Sequence, residues 1–586
     1  MTPAGKRLAD GLAALALAGL PWALYGAALG LWWTQDDFFQ LRFASDHGPA
    51  EYALDPEVWR RLPNRVLSPL LFVSYDLDLA LAGLHPPAFY AHQLLALGLA
   101  ALALYGVLRL WLAPGWCLVG GVVFLLGPPV AALAPALMAR HYPEAVLLAL
   151  LSAGAFVAAE RRSGRPRGDG RPEAVAGAEP VANRGAPAAA AWALTGLSAL
   201  LYLAACLAKE IAVPLPALLA LLPAGRLRSR LRLLVPHGAV LVLYLGYRAW
   251  MLGTALGGYG WVVTAGEWPG LALRLPARLA RELAGPGPWG WAALAALAAG
   301  AVLLATRGRR AAALLGVGVL AAVLPVLPVA AEVAPRYAVP AWLLLVAALP
   351  ASAQRLAGGA GRGSGRRRVV LGAALALLLA ATFAANRQAW SRHYGLAARM
   401  SAENLGFLEL GQGEHLRHPA GPTAAMEALP GFARDLLGRR AEGGWFYDDL
   451  YLCERPGAVR GVWSYDPAAN RLRDVSRELP TLRRRHCGAI RWRAPLEAAF
   501  RWRGDVLSWE LGPYDDAGGP AGPGDGGYAV LFEDGRARIP VPRRGAFGVG
   551  ARGGMTIRLA FASPEGWTTY SPPLELREGE TVSWRR

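Results

Sequence analysis

Apolar stretches of roughly 17 to 25 residues recur from Leu8 to Ala385, each long enough to cross about 30 Å of hydrocarbon. That recurrence rules out most water-soluble folds. Of the 586 residues 54% are hydrophobic and only 17% charged, so the runs are broken less often than in a soluble protein of this size. Beyond Ala385 the hydropathy collapses, and residues 387–586 are rich in Arg, Trp, Gly and Asp. The expected fold is mainly α. A polytopic transmembrane bundle occupies 1–386, with a first outer loop at 33–88. A polar helix and linker fill 387–430, and an extracytoplasmic β-rich domain fills 431–586.

About eleven spans can be marked, near 8–32, 89–111, 115–135, 142–159, 190–208, 211–223, 233–252, 289–306, 311–330, 337–352 and 369–386. The first run has no convincing cleavage site after it and reads as a retained helix. The formal charge of +18 invites a nucleic-acid partner. Loop positions argue against one. Basic residues concentrate at Lys6, Arg7 and Arg109, in the linker from Arg161 to Arg184, at Arg226 to Arg232, at Arg307 to Arg310, and from Arg355 to Arg368. With eleven spans all of these fall on the face of the N-terminus, which the positive-inside rule makes cytoplasmic. The C-terminal domain then lies outside the inner (plasma) membrane. Arg60, Arg61, Arg65, Arg274, Arg278 and Arg281 are exceptions in the two longest outer loops.

Residues 67–83 test this scheme, because they are almost long enough to span. If they did, every later loop would invert, and Asp76 and Asp78 would sit in lipid at high cost. They are therefore expected to form a helix lying along the outer surface.

The same sidedness gathers the sharpest polar motifs on the outer face. Trp32-Trp33-Thr34-Gln35-Asp36-Asp37 follows the first span. Arg140, His141 and Glu144 open the fourth. Lys209-Glu210 stands between two apolar helices in a chain whose only other lysine is Lys6. Glu332, Arg336 and Tyr337 form another outer turn. Singly, each has an ordinary reading as solvated charge, a snorkelling lysine or an interface anchor. Their convergence at headgroup depth suggests a site. Carboxylates there can act as general base or hold a divalent metal, Asp37 and Glu144 being the candidate ligands. Lysine and arginine can grip a phosphate. Such a set suits attack on a group activated by a lipid phosphate, whose developing charge the cations stabilise.

At these residues the chain resembles the GT-C class of membrane glycosyltransferases, which take sugars from polyprenyl-phosphate carriers. Protein O-mannosyltransferases and the aminoarabinose transferase of lipid A belong to that class. The resemblance covers about residues 1–386. Asp36-Asp37 matches the acidic pair after the first span, which implies Asp36 as catalytic base. Segment 67–83 matches the surface helix of the first outer loop. Glu144 matches an acidic residue leading into the fourth span, and Lys209-Glu210 a turn after the fifth. The segment from Leu84 through His85 to His92 is similar to a His-containing start of the second span. The lysine-proline pair of some members is absent, with Leu62-Pro63-Asn64-Arg65 in roughly its place, which leaves the donor open.

The resemblance implies sugar transfer from a polyprenyl-phosphate donor, at the membrane lipid, to an extracytoplasmic acceptor. Asp36 and Asp37 would be catalytic. Arg140, His141, Glu144, Lys209, Glu210, Arg336, Tyr337 and His85 would bind substrate or lipid phosphate. A transporter or flippase of a lipid-linked precursor, or a non-catalytic scaffold, are the alternatives. A transporter would need polar residues near the midplane, and an internal repeat would support one, but neither stands out.

In the tail, alternating runs at Val459–Tyr465, Ala489–Arg493, Val506–Leu511, Tyr528–Phe532, Thr556–Ala562 and Thr568–Tyr570 suggest a small sandwich, with turns such as Asp534-Gly535 between them. Its Trp and Arg residues either bind carbohydrate or simply pack and decorate the domain. Asp448-Asp449 reads as a loop. Cys117 and Cys206 read as core residues. Cys453 and Cys487 lie where an oxidising exterior would allow them to pair, without requiring it.

Overall fold

The computed structural model describes residues 3–586 except 35, 61–65, 164–185, 224–225, 256–267, 307, 331–332, 359–363, 411–412, 419–427, 439–444, 447, 449, 456, 505, 516–525, 533–536 and 550–552. Gln35, Arg61, Arg65, the Leu62–Arg65 segment, Arg165 to Arg184, Arg307, Glu332, Arg362, Asp449 and the Asp534-Gly535 turn lie outside the described residues. The chain divides into two compact units. The first comprises 1–29, 67–255 and 270–394; the second comprises 30–66, 256–269 and 395–586.

The first unit is a bundle of apolar helices. Among the described residues eight are long and apolar enough to cross a membrane, or nine if the bent pair Leu227–Leu233 and Val235–Leu252 is one span. Two shorter apolar helices, Pro114–Leu125 and Glu210–Leu221, coincide with the remaining two expected spans. The chain is a multi-pass membrane protein. Proline opens many of these helices, at Pro69, Pro86, Pro114, Pro128 and Pro288, where its missing N–H costs nothing. Glycine lets them approach closely. A Cβ on Gly98 would meet the Ala18 carbonyl oxygen at 3.1 Å, so the first two spans touch backbone to backbone there.

Contacts within the bundle sort its helix ends into two sets. At one end Arg109 grips Asp10 through Nε at 2.8 Å and Nη2 at 3.1 Å. There too, Arg161 donates to the Leu110 carbonyl at 2.5 Å, Trp111 to the Pro223 carbonyl at 3.1 Å, and Ala113 N–H to Gln354 at 2.8 Å. At the other end Tyr25 donates to the Leu125 carbonyl at 2.5 Å and accepts from Asn386 at 2.6 Å. Asp10 and Tyr25 belong to the same helix, so these are its two ends. The basic Arg109 and Arg161 therefore share a side, as loop charge requires.

The Pro69–Ala82 helix has 14 residues, or about 21 Å at 1.5 Å per residue, too short to cross. Gly83, at φ 60°, ends it. One expected boundary shifts. Helix Ser364–Glu409 runs unbroken for 46 residues, so the spanning segment and the polar segment expected after 386 are one helix.

The second unit opens with short helices at Asp37–Asp46, Pro49–Leu54 and Pro56–Arg60. Its β-rich part starts earlier than 431, at β1 (Glu414–Arg417). Strands β2 (Trp445–Phe446), β3 (Val459–Asp466) and β4 (Arg471–Asp474) join it in a mixed sheet of order β2-β1-β3-β4. Two further sheets follow. One orders β13 (Thr581–Arg585), β5 (Glu497–Arg503), β6 (Val506–Gly512) and β9 (Arg544–Gly548). The other orders β11 (Thr568–Tyr570), β10 (Met555–Ala562), β7 (Gly527–Phe532) and β8 (Ala537–Val541), with β12 (Leu574–Leu576) also on β10. Phe500, Trp502 and Leu511 of the first pack with Val530, Ile557 and Leu559 of the second in one core, as in a sandwich.

Two local readings need correction. Ala489–Arg493 is no strand; helix Leu479–Ala489 ends there, leaving a single bridge from Ile490 to Thr568. The strand is β5, whose Glu-Ala-Ala-Phe-Arg-Trp-Arg alternates in burial along its length. Asp448 is more than a loop residue. It is 2% exposed, caps Leu450 N–H at 2.9 Å, accepts from Tyr570 at 2.8 Å and pairs with Arg538 at 3.1 Å. Cys453 and Cys487 form a disulfide, which ties helix Leu450–Glu454 to helix Leu479–Ala489.

Candidate functional site

Burying a charge in an apolar bundle is costly unless it is paired, so fully buried ions mark where the sequence has been shaped for something other than packing. Among the described residues, two such groupings of the first unit are drawn from the helix end opposite Arg109, apart from the buried Glu160 and Arg230 nearer the other end.

The first centres on Arg140, which has no solvent exposure. Its Nη1 makes a close ion pair with Asp78 and reaches Ser74 at 3.3 Å, while Nη2 donates to the Phe89 carbonyl at 2.8 Å. The guanidinium also lies over the rings of Tyr75, at 4.9 Å, and Phe89, at 5.5 Å. Asp78 holds His92 Nδ1 at 2.8 Å, and Ser74 donates to Glu144 at 2.6 Å. The Pro69–Ala82 helix is thus fastened to the start of helix His141–Ser163. Ser74 and Tyr75 both flank Asp78, at i, i+4 and i, i+3, so the three side chains reach the same neighbours.

The second grouping surrounds Tyr142. Lys209, 3% exposed, lies 5.7 Å from the Tyr142 ring centroid and 2.8 Å from Glu210. Tyr142 meets Tyr337 edge-on at 6.1 Å, and Arg336 covers the Tyr337 ring at 5.0 Å. His141 packs tilted against Tyr142 at 4.8 Å and lies within the electrostatic reach of Lys209 and Arg336. Arg248, buried on helix Val235–Leu252, faces Glu210. Lys209 and Arg336, from different helices, thus meet around two tyrosine rings, with Arg248 near Glu210 behind them. The amphipathic rings give those cations a polarisable wall where water is scarce.

Of the residues expected from sequence, the structure brings His141, Lys209, Glu210, Arg336 and Tyr337 together, and joins Arg140 to Glu144. His85 stands apart, exposed at the N-cap of helix Pro86–Leu108; the histidine that enters a network is His92. Ser74, Asp78, Tyr142 and Arg248 went unnoticed as site residues. Asp78 carried the strongest signal, a carboxylate in an apolar helix with no partner nearby in sequence.

Asp36 and Asp37 belong to the second unit and differ from each other. Asp36 is exposed and is the N-cap of helix Asp37–Asp46. Asp37 has no exposure, and its Oδ2 accepts the Thr34 N–H at 2.8 Å. Around it Trp32, Trp33 and Phe38 pack against Phe432, and Asn404 donates to the Trp33 carbonyl at 3.0 Å. Asp37 therefore shapes the turn that presents Asp36. Asp37 and Glu144, the candidate metal ligands, fall in different units. Among the described residues no group of three or more His, Cys, Asp or Glu could hold a metal ion.

Fold and site define a polytopic membrane protein with a cationic, aromatic-lined cluster at one end of its bundle and a β-rich C-terminal region. Solved structures with a similar fold include the arabinofuranosyltransferase AftD from mycobacteria, at 16% identity and a TM-score of 0.40, covering 94% of this chain and 40% of that one. The chain therefore spans about two-fifths of that protein's length. ArnT from Cupriavidus metallidurans is similar in its apo state, at 12% identity and a TM-score of 0.41, covering 77% of this chain and 92% of that one. ArnT bound to undecaprenyl phosphate gives 13% identity and a TM-score of 0.38, covering 79% and 93%. No protein-family model and no curated protein matches the sequence.

Proposed function

We propose that this protein is a glycosyltransferase that moves a sugar from a polyprenyl-phosphate-linked donor to an extracytoplasmic acceptor. The observation that carries the reading is the placing of Lys209 over the Tyr142 ring and Arg336 over the Tyr337 ring, the two rings edge-on to each other, at one end of a membrane bundle. A phosphate carried on a lipid arrives at that depth, and Lys and Arg are the side chains that grip it. The basic helix ends gather at the opposite end of the bundle, which supports placing this cluster on the extracytoplasmic side of the inner membrane.

In the proposed reaction the acceptor hydroxyl oxygen bonds to the anomeric carbon of the donor sugar. The bond from that carbon to the phosphate oxygen breaks, and polyprenyl phosphate leaves with the electron pair. Lys209 and Arg336 stabilise the charge that grows on the leaving oxygen. Asp36 receives the hydroxyl proton in this scheme, the role implied by the resemblance of Asp36-Asp37 to the acidic pair after the first span of the GT-C class. Arg140 and Asp78 take no part in the charge transfer of this scheme; they hold His92 and, through Ser74, Glu144 in place.

The test is sugar transfer by the purified protein from a panel of polyprenyl-phosphate sugars. Asp36→Asn should abolish transfer and leave expression and thermal stability unchanged. Lys209→Gln should raise the donor KM by roughly tenfold or more, the scale of a lost charged hydrogen bond. Equal turnover by the Asp36 variant sinks the base assignment, and no release from any donor sinks the reading as a whole.

A further inference from the structure

A second polar feature of the first unit takes no part in the proposed chemistry. Helix Pro288–Ala305 begins beside helix Ser364–Glu409, and an open groove of about 570 Å³ lies between them, lined by Pro286, Gly287, Arg387, Gln388, Ser391 and Arg392. Gly287, at φ 91°, makes the close approach feasible: a Cβ there would come within 2.4 Å of the Gln388 amide oxygen. On the longer helix Arg387 and Ser391 form one i, i+4 row, and Gln388 and Arg392 another. All four polar side chains therefore turn toward the start of the facing helix. Both arginines are exposed, and so are Gln388 and Ser391.

The apolar surroundings fix the depth of this groove. Trp289 and Trp291, 53% and 48% exposed, stand at the start of the apolar helix, where indoles anchor at the headgroup level. Phe383, one turn before Arg387, is 47% exposed on the same row, and Leu377 further down is 72% exposed. Phe383 and Leu377 stand about 120° apart around the helix, so a broad exposed apolar face, wider than a single stripe, runs up to the guanidinium pair. Glu282, on helix Trp268–Ala284, lies within electrostatic reach of Arg392 and Arg281, and burial pushes its carboxyl upward.

We propose that this groove binds the phosphate headgroup of an anionic phospholipid, with the acyl chains lying along Phe383 and Leu377. Two guanidiniums, a hydroxyl and an amide offer more donors than a carboxylate can accept and suit the oxygens of a phosphodiester. The proposal is independent of the glycosyltransferase reading, because it needs neither Asp36 nor Lys209.

The full-length protein in nanodiscs of phosphatidylcholine doped with phosphatidylglycerol tests it, with co-purifying lipid counted by native mass spectrometry. The wild type should retain phosphatidylglycerol selectively. Arg387→Gln with Arg392→Gln should weaken retention roughly thirty-fold, from about one kcal/mol for each basic residue at a membrane surface. Arg274→Gln, at an exposed arginine outside the groove, should leave it unchanged. Should the double variant fold poorly, a photoreactive phosphatidylglycerol on the wild type should label residues 286–291 and 387–392. Absence of selectivity, retention by the double variant, or labelling elsewhere overturns the proposal. So does equal competition by millimolar inorganic phosphate, which would make a free anion the ligand.

Discussion

Ser74 and Glu144 lie 70 residues apart, yet the Ser74 hydroxyl donates to the Glu144 carboxylate at 2.6 Å. The contact joins the short helix of the first loop to the first turn of a spanning helix. It fixes the orientation of the only acid in that turn.

Ser74→Ala and Glu144→Gln form a double-mutant cycle. If Ser74 acts through Glu144, the two changes together should cost no more transfer activity than Glu144→Gln alone. The coupling should be about 1.5–3 kcal/mol, the range for a hydrogen bond to a charged group. Strictly additive losses in kcat/KM would show that the contact has no bearing on turnover.

Arg140 and Asp78 bear on stability. Both are buried, and removing one partner leaves the other's charge uncompensated. Asp78→Asn should therefore destabilise the bundle by about 3–5 kcal/mol. Replacing both, as Asp78→Leu with Arg140→Met, should recover much of that loss, because a packed apolar pair avoids the desolvation cost. Thermal unfolding in detergent reads both variants. A double variant no more stable than the single one would show that the pair is itself stabilising.

Much of the fold was legible because a bilayer leaves few solutions. Long apolar runs fixed the helices, and loop arginines fixed which ends share a side, which Arg109 and Arg161 then satisfied. The short Pro69–Ala82 helix was legible through Asp76 and Asp78, whose charges forbade a span. What Asp78 pairs with was not legible. Arg140 lies 62 residues on, and no periodicity links two charges that meet only through tertiary packing. His85 and His92 show the same limit. They stand two turns apart on nearly one face of the same helix, and only its register along the axis against Asp78 decides which one enters the network. In the tail, β5 was missed because its Arg and Glu side chains alternate with Ala, Phe and Trp, diluting the apolar signal to half the positions.

The Cys453–Cys487 bridge closes a separation of 34 residues. A loop of that size limits the unfolded chain by about 3–4 kcal/mol in the chain-entropy account. Cys453→Ser with Cys487→Ser should lower the unfolding midpoint of the β-rich region, and mild reductant should do the same to the wild type alone. Protease nicking near helix Leu479–Ala489 is the readout. If the variant resists proteolysis as the wild type does, the bridge adds no stability.

Acid sensitivity should appear at the hairpin of β3 and β4. The Asp474 carboxylate accepts the Ser476 hydroxyl in a close contact and the Ser476 N–H at 2.8 Å, and these bonds hold its pKa below the usual carboxylate range. A group whose folded pKa is depressed adds stability above its unfolded value, about 3.9 for aspartate, and loses it as pH falls through the folded value. Asp474→Asn should thus fall short of the wild type at pH 7, by a margin that shrinks on going to pH 2. Ser476 also accepts the Val462 N–H at 2.9 Å, so changing the serine would disturb β3 as well, and the aspartate is the cleaner substitution. Denaturant unfolding of the full-length protein at both pH values, followed by hydrogen exchange of β3 and β4, supplies the comparison. A deficit that persists unchanged at pH 2 would mean that the variant loses packing rather than a charge-dependent bond.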